Sequence, residues 1–320
     1  AKTTKHAPLQ AMCYIIIMAE NRESIFDAKP LSDTEKIARQ ESRFGNPQKI
    51  ERILNTADVA RIVNIDDYIL DAIGTHSNEV DIAFLRERSK SKTLDVSAFS
   101  SNAALLSLLR TEDGYMRAIF KPSSGESSRR KAEFSITRFY PRERDAYRLD
   151  KALHFDVVPP TIIRKIRLGE NQNPVLGSLQ LFVPREYAIP FDKVRNDDRE
   201  KYTQTVDWQK IAVLDYLINN ADRKDANMLA VIGPQPGVIA IDHGCSFCRI
   251  SNNDIMGPRR DLRVRRAPIC QEIFDLLEVA MGNTDRILAS MSQDILARQS
   301  IPGESIVEKM EKILADRRIP

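Results

Sequence analysis

The spacing of apolar positions divides the 320-residue chain into three parts. From residue 31 to about residue 90 it is helical. Ser32 and Glu35 have the spacing of a capping box, and Asn46-Pro47 reads as a cap followed by proline at the first helical position. Ile50, Ile53, Leu54, Val59, Ile62 and Val63 recur at roughly helical intervals, and Tyr68, Ile69, Ala72 and Ile73 open another such stripe. Residues 1–94 are therefore expected to form a mainly helical N-terminal extension.

Near Asp95 the pattern changes to strands. Ser100-Ser101-Asn102 is a small polar loop, 104–109 a strand, Thr111 to Gly114 a hairpin turn with the Asp-Gly signal, and 115–120 a second strand leading to Lys121. The Ser- and Arg-rich stretch 123–138 has few apolar residues and reads as a mobile loop. A helix is expected over 142–153 with Ala146, Tyr147, Leu149 and Leu153 facing inward, then strands over 162–166 and 175–183. Residues 95–184 thus read as a strand-rich lobe and 185–320 as a mainly helical one. In the latter, a helix over 206–219 leads into a polar loop with Asp222, Arg223 and Asn227, and two short strands then deliver Asp242-His243-Gly244. Closing helices are expected over 273–280, 285–296 and 305–316, which makes the fold class α+β with two lobes.

Composition changes this picture little. Charged residues at 29% and hydrophobic residues at 42% are an ordinary globular balance, and a net charge of +3 gives no reason to expect a nucleic-acid partner. Cys13, Cys245, Cys248 and Cys270 are too few and too irregular for a disulfide framework, and Cys245-x-x-Cys248 has no second pair to complete a zinc site. The apolar run 11–19 falls short of the ~20 residues a bilayer span needs. A soluble protein in a reducing compartment, the cytoplasm, is expected, with secretion left open.

Asp222, Asn227 and Asp242 lie on two loops joined by a hairpin and can converge on one point. Phosphoryl transfer needs such a set: one carboxylate to take the proton of the attacking hydroxyl, and an Asn with a second Asp to hold divalent cations against a triphosphate. Lys121 stands where a lysine would reach the phosphates, with Glu143 as the candidate carboxylate partner and Glu126 and Glu133 as rivals. No G-x-G-x-x-G covers the phosphates; Ser101 and its neighbours stand in that place. The segment after the 175–183 strand, which contains Gln180, reads as the hinge that meets an adenine.

These residues come in a recognisable set: Lys121-Pro-x-x-Gly-Glu126, Arg142-Glu143-x-x-Ala146-Tyr147, Val158-Pro-Pro-Thr161, Asn220-Ala-Asp-Arg223 and Ile241-Asp-His-Gly-x-Ser-Phe247. The chain resembles the phosphatidylinositol 3-/4-kinase-like group of atypical kinases, which takes in bacterial PI-kinase-like proteins, HipA-like kinases and the Golgi secretory-pathway kinases. The resemblance covers residues 96–247 and implies a two-lobed kinase fold, ATP as donor, and Mg²⁺ or Mn²⁺. It implies that Asp222 with Arg223 forms the catalytic loop, that Asn227 and Asp242 hold metal, and that Lys121, Glu143, Ser101 and Gln180 serve the nucleotide. His243 is expected to be a structural hydrogen-bonding residue.

Two basic clusters remain. Arg129, Arg130, Lys131, Arg138, Arg142, Arg144 and Arg148 surround the 142–153 helix, and Arg259, Arg260, Arg263, Arg265 and Arg266 follow Asp242. Arginine forks bind phosphate oxygens, so the first cluster fits an inositol polyphosphate regulator or an anionic membrane surface as well as a solvated face. The expected activity is a protein Ser/Thr kinase. A phosphoinositide kinase, a nucleotide-binding pseudokinase scaffold and transfer of AMP stand as alternatives.

Overall fold

The computed structural model describes residues 43–64, 104–111, 114–169, 172–248, 258, 264, 267–301 and 305–320. Ser101, the apolar run 11–19, the stripe opened by Tyr68 and the arginines 259–266 lie outside the described residues.

Helix α1, Pro47–Thr56, starts as the sequence predicts, with the Asn46 side chain accepting from Lys49 N at 2.9 Å and proline in the first turn. It ends sooner than expected. Val59–Asn64 is a strand, β1, where helical spacing had placed Val59, Ile62 and Val63. These β-branched residues favour extended backbone, and the interval that continued the α1 stripe was coincidental. This described part of the first 94 residues is thus no separate helical extension. β1 is the edge of a five-stranded antiparallel sheet with β2 (Leu105–Thr111), β3 (Gly114–Pro122), β4 (Thr161–Ile166) and β5 (Val175–Leu181), in the order β1-β2-β3-β5-β4. Leu54 of α1 is fully buried and joins Leu105, Leu109, Phe120, Ile162 and Leu179 in the core of this lobe.

Between β3 and β4 the predicted mobile loop 123–138 is ordered. After a single 3-10 turn, Ser123–Gly125, it forms helix α2, Ser128–Glu133, whose N-cap Ser127 accepts from Arg130 N. Polar contacts hold the segment. Glu126 Oε1 accepts from Phe139 N at 2.8 Å and Tyr140 N at 2.9 Å, satisfying donors at the start of helix α3, Tyr140–Ala152, and Lys131 pairs with Glu126 Oε2 at 2.8 Å. A count of apolar residues could not show this. Ala146, Tyr147, Leu149 and Leu153 are buried as expected.

The second lobe is built around α5, Val206–Leu217, which follows α4, Asn196–Thr203, and is capped by Thr205. Ile211, Ala212, Val213, Leu214 and Leu217 bury almost the whole circumference of α5, as a central helix requires. A small antiparallel sheet of β6 (Ala188–Pro190), β7 (Met228–Val231) and β8 (Val238–Ala240) packs beside it, a strand component that a mainly helical expectation had reduced to two short strands. Helices α6 (Gln271–Met281), α7 (Thr284–Ala289), α8 (Gln293–Leu296) and α9 (Ile306–Asp316) close the lobe; the expected single helix over 285–296 is broken between α7 and α8.

Candidate active site

Lys121 stands near the end of β3, opposite Ser178 of β5. Its Nζ reaches Glu143 Oε1 on α3 at 2.5 Å and Asp242 Oδ1 at 2.7 Å. Glu143 is buried in the first turn of α3, and its other oxygen accepts from His243 N at 2.8 Å. One carboxylate therefore ties the β3 lysine to the backbone of the loop after β8. Desolvation would depress Lys121, but the charges of Asp242 and Glu143 outweigh it and hold the ammonium above its ordinary range. Desolvation would likewise raise Asp242, and Lys121 reverses that and keeps its carboxyl well below the usual carboxylate range. Asp242 has left-handed backbone, φ 58°, which turns the chain sharply after β8.

The second loop leaves α5 through Asn219, also left-handed at φ 46°. Asn220 bonds back to Asp215 at 2.9 Å and accepts from Asp222 N at 3.1 Å, while Asn227 Nδ2 donates to the Asp222 carbonyl at 2.6 Å. Arg223 is buried completely. It forks onto Asp215 and donates to the carbonyls of Asn227 and Ile241, each at 2.7 Å. These contacts face inward, so Arg223 holds the two loops relative to each other. Ala221 N, donating to the Cys245 carbonyl, adds a further tie between the loops.

The Asp222 side chain is nearly buried and both its oxygens are engaged, Oδ1 by Lys224 Nζ at 2.8 Å and Oδ2 by Arg130 Nη2 at 2.6 Å. Sequence reasoning overlooked Lys224; its place two residues after Asp222, in the loop it shares with Asn227, was the available signal. Glu126, a rival for Lys121, is committed to the start of α3, and Glu133 ends α2. Gln180 is buried in β5 with Nε2 donating to Thr161 Oγ1 at 2.8 Å, so its amide nitrogen serves the sheet. His243 is fully buried, and burial with the nearby Arg223 and Lys121 charges holds its imidazole well below the usual histidine range. Neither ring nitrogen has a hydrogen-bond partner among the described residues, so the expectation of a hydrogen-bonding histidine is corrected to a neutral packed one.

Six of the seven basic residues proposed as a polyanion site point to separate partners. Arg130 goes to Asp222, Lys131 to Glu126 and Arg144 to Asp145; Arg142 is buried against the carbonyls of Ser246 and Phe247, and Arg148 donates to the Ser290 carbonyl. Arg138 lies 3.3 Å from the Tyr140 hydroxyl, and Arg129 is exposed on α2. Internal carboxylates and carbonyls, which the linear sequence does not show, thus take up most of these cations.

A divalent cation fits this donor set. Asp242 and the Asn227 side-chain oxygen are hard oxygen ligands, and among the described residues no group of three or more His, Cys, Asp or Glu converges. A hard divalent cation takes such oxygen donors together with a nucleotide's phosphates.

Residues 183–319 match the family model described as "Golgi casein kinase, C-terminal, Fam20". The chain is 27% identical to the extracellular serine/threonine protein kinase CeFam20 of Caenorhabditis elegans, over 43% of this chain and 34% of that protein. It is 29% identical to Protein Rv2133c of Mycobacterium tuberculosis, over 40% of this chain and 53% of that one. It therefore spans about a third to a half of the length of these relatives. The structure of hydra Fam20 with sugar superposes with a TM-score of 0.52 at 14% identity, covering 95% of this chain and 93% of that one. The family model, the C. elegans relative and the hydra structure are all of Fam20 proteins, and the phosphatidylinositol-kinase grouping is not confirmed. The chain has an α+β, two-lobed kinase-like fold similar to that of the Fam20 proteins.

Proposed function

We propose that the chain is an atypical protein kinase that moves the γ-phosphoryl group of ATP to serine or threonine hydroxyls, with Mn²⁺ or Mg²⁺. The observation that carries this reading is the Lys121–Glu143–Asp242 contact set, with the loop that holds Asp222 and Asn227 tied by Arg223 to Ile241, next to Asp242. Bound metal and ATP would supply the phosphoryl donor and the charge that neutralises it. Lys121, fixed by Glu143, would steady the phosphates; Asp242 and Asn227 would hold the cation; Asp222 would orient the acceptor hydroxyl and receive its proton. The relatives named as extracellular and Golgi kinases favour a secretory setting over the cytoplasm. The described cysteines are free thiols.

Labelled ATP, supplied with Mn²⁺ or Mg²⁺ to the purified chain with protein acceptors or with phosphoinositide vesicles, tests the proposal. Label is expected on protein serine or threonine and lost in Asp222→Ala and Asp242→Ala. Label in lipid alone would turn the assignment to a phosphoinositide kinase, and mass spectrometry of the product separates phosphate from AMP. Nucleotide binding without any transfer would favour the pseudokinase reading.

A further inference from the structure

We propose that Arg130 is a positioning residue for phosphoryl transfer, holding the Asp222 carboxylate from the N-terminal lobe while Lys224 holds it from the loop beneath. The proposal rests on the kinase reading above. In that reaction a bond forms between the acceptor oxygen and the γ-phosphorus, and the bond from that phosphorus to the β,γ-bridging oxygen breaks with its electrons leaving on ADP. The hydroxyl proton passes to Asp222, and Arg130 forms no covalent bond.

Arg130 Nη2 lies 2.6 Å from Asp222 Oδ2, although 92 residues separate the two. Like that of Lys121 with Asp242, the contact joins the strand-rich part of the chain to a loop of the second lobe. Two cations of the strand-rich lobe thus grip the two carboxylates of the other lobe.

The support beneath Arg130 is built rather than incidental. Ser127 caps α2 and Ile136 N closes its far end on the Lys131 carbonyl at 2.9 Å. The Arg130 guanidinium also lies 5.6 Å from the Phe134 ring centroid. Glu126 and Lys131 then fasten the segment to the start of α3, the helix that carries Glu143. The place of Arg130 is therefore fixed by the same helix that fixes Lys121. Stability alone is a poor reason for such a pair, since a partly exposed ion pair contributes little to folding. A carboxylate gripped at both oxygens has its plane set, and a base displaced by about 1 Å can cost ~10²-fold in rate.

The test uses the full chain, MnATP, dephosphorylated casein as acceptor probe and a fluorescent ADP. Arg130→Ala is expected to lower kcat by roughly ten- to a hundredfold, with KM for ATP and ADP affinity within about twofold of the unsubstituted protein. Arg130→Lys should recover part of the loss, and Arg130→Ala should cost nothing further in an Asp222→Asn background. An unchanged or raised kcat, an additive loss in that background, or a parallel loss of ADP affinity overturns the assignment; a raised kcat would mean that Arg130 obstructs the acceptor. Absence of Asp222-dependent transfer in the unsubstituted protein fails the kinase reading itself, and the role of Arg130 with it.

Discussion

Arg223 and Asp215 form a two-pronged ion pair with no solvent exposure, Nε to Oδ2 at 2.9 Å and Nη2 to Oδ1 at 3.0 Å. The remaining guanidinium nitrogen holds the carbonyls of Asn227 and Ile241, so one buried side chain fastens helix α5 to both loops of the site. Breaking such a pair from one side leaves a buried charge uncompensated. Asp215→Ala is expected to destabilise the protein by about 3–5 kcal/mol, read as a lower urea midpoint, and to abolish transfer. A midpoint equal to that of the unsubstituted protein would show that the pair does not fasten the loops.

Glu143→Gln keeps the side chain's size and removes its charge. Lys121 then retains only Asp242 as a carboxylate partner. Transfer is expected to fall about 10²-fold or more, in line with the loss of a preorganised polar contact in a closed site, while circular dichroism stays unchanged. Steady-state rates on a protein acceptor check this.

Gly177 lies across from Pro122 in the β3–β5 ladder, and a Cβ there would run into the Lys121 carbonyl and the Phe120 ring. Gly177→Ala should force the two strands apart beside Lys121, with a cost of about 1–3 kcal/mol. A lower melting temperature together with weaker ADP binding is the expected result. A loss of stability without any change in nucleotide binding would separate the strand from the site.

Asp150 gives a pH dependence of defined sign. It is buried in α3, and burial with the neighbouring Asp156 charge pushes its carboxyl up to about 8, despite hydrogen bonds from Val157 and Val158 N–H and the charge of Arg43. The unfolded value is near 4, so between about pH 4 and pH 8 the folded protein binds the extra proton and its stability falls as pH rises. Urea unfolding at pH 5 and pH 9 should show Asp150→Asn losing less stability than the unsubstituted protein, by on the order of a few kcal/mol. Equal slopes in the two proteins would mean that Asp150 ionises normally.

The parts of the site legible in the sequence were those whose spacing is local. Asp222, Asn227 and Asp242 sit within one helix–loop–hairpin unit, and α5 and the strands announce themselves by apolar runs. Glu143 stands out in the first turn of a predicted helix, but spacing alone does not separate it from Glu126 and Glu133; the structure brings Glu143 to Lys121. Contacts over long separations left no such trace. The basic residues look alike in a list, yet Arg142 is buried on backbone carbonyls and Arg130 reaches Asp222. The 123–138 segment has the composition of a loop because polar anchors, Glu126 above all, hold it in place of an apolar face. β1 carries a helical spacing only because three β-branched residues fall in phase with the helix before them.

Glu143 divides its two oxygens between Lys121 and His243 N, and that division has a consequence for control. An outward swing of α3 would release the lysine and the loop after β8 in one movement, and a displaced loop would loosen α3 in return. A change at Glu143 should therefore disturb Lys121 and the loop after β8 together, so that the lysine's hold on the phosphates and the place of Asp242 are lost in one step rather than separately.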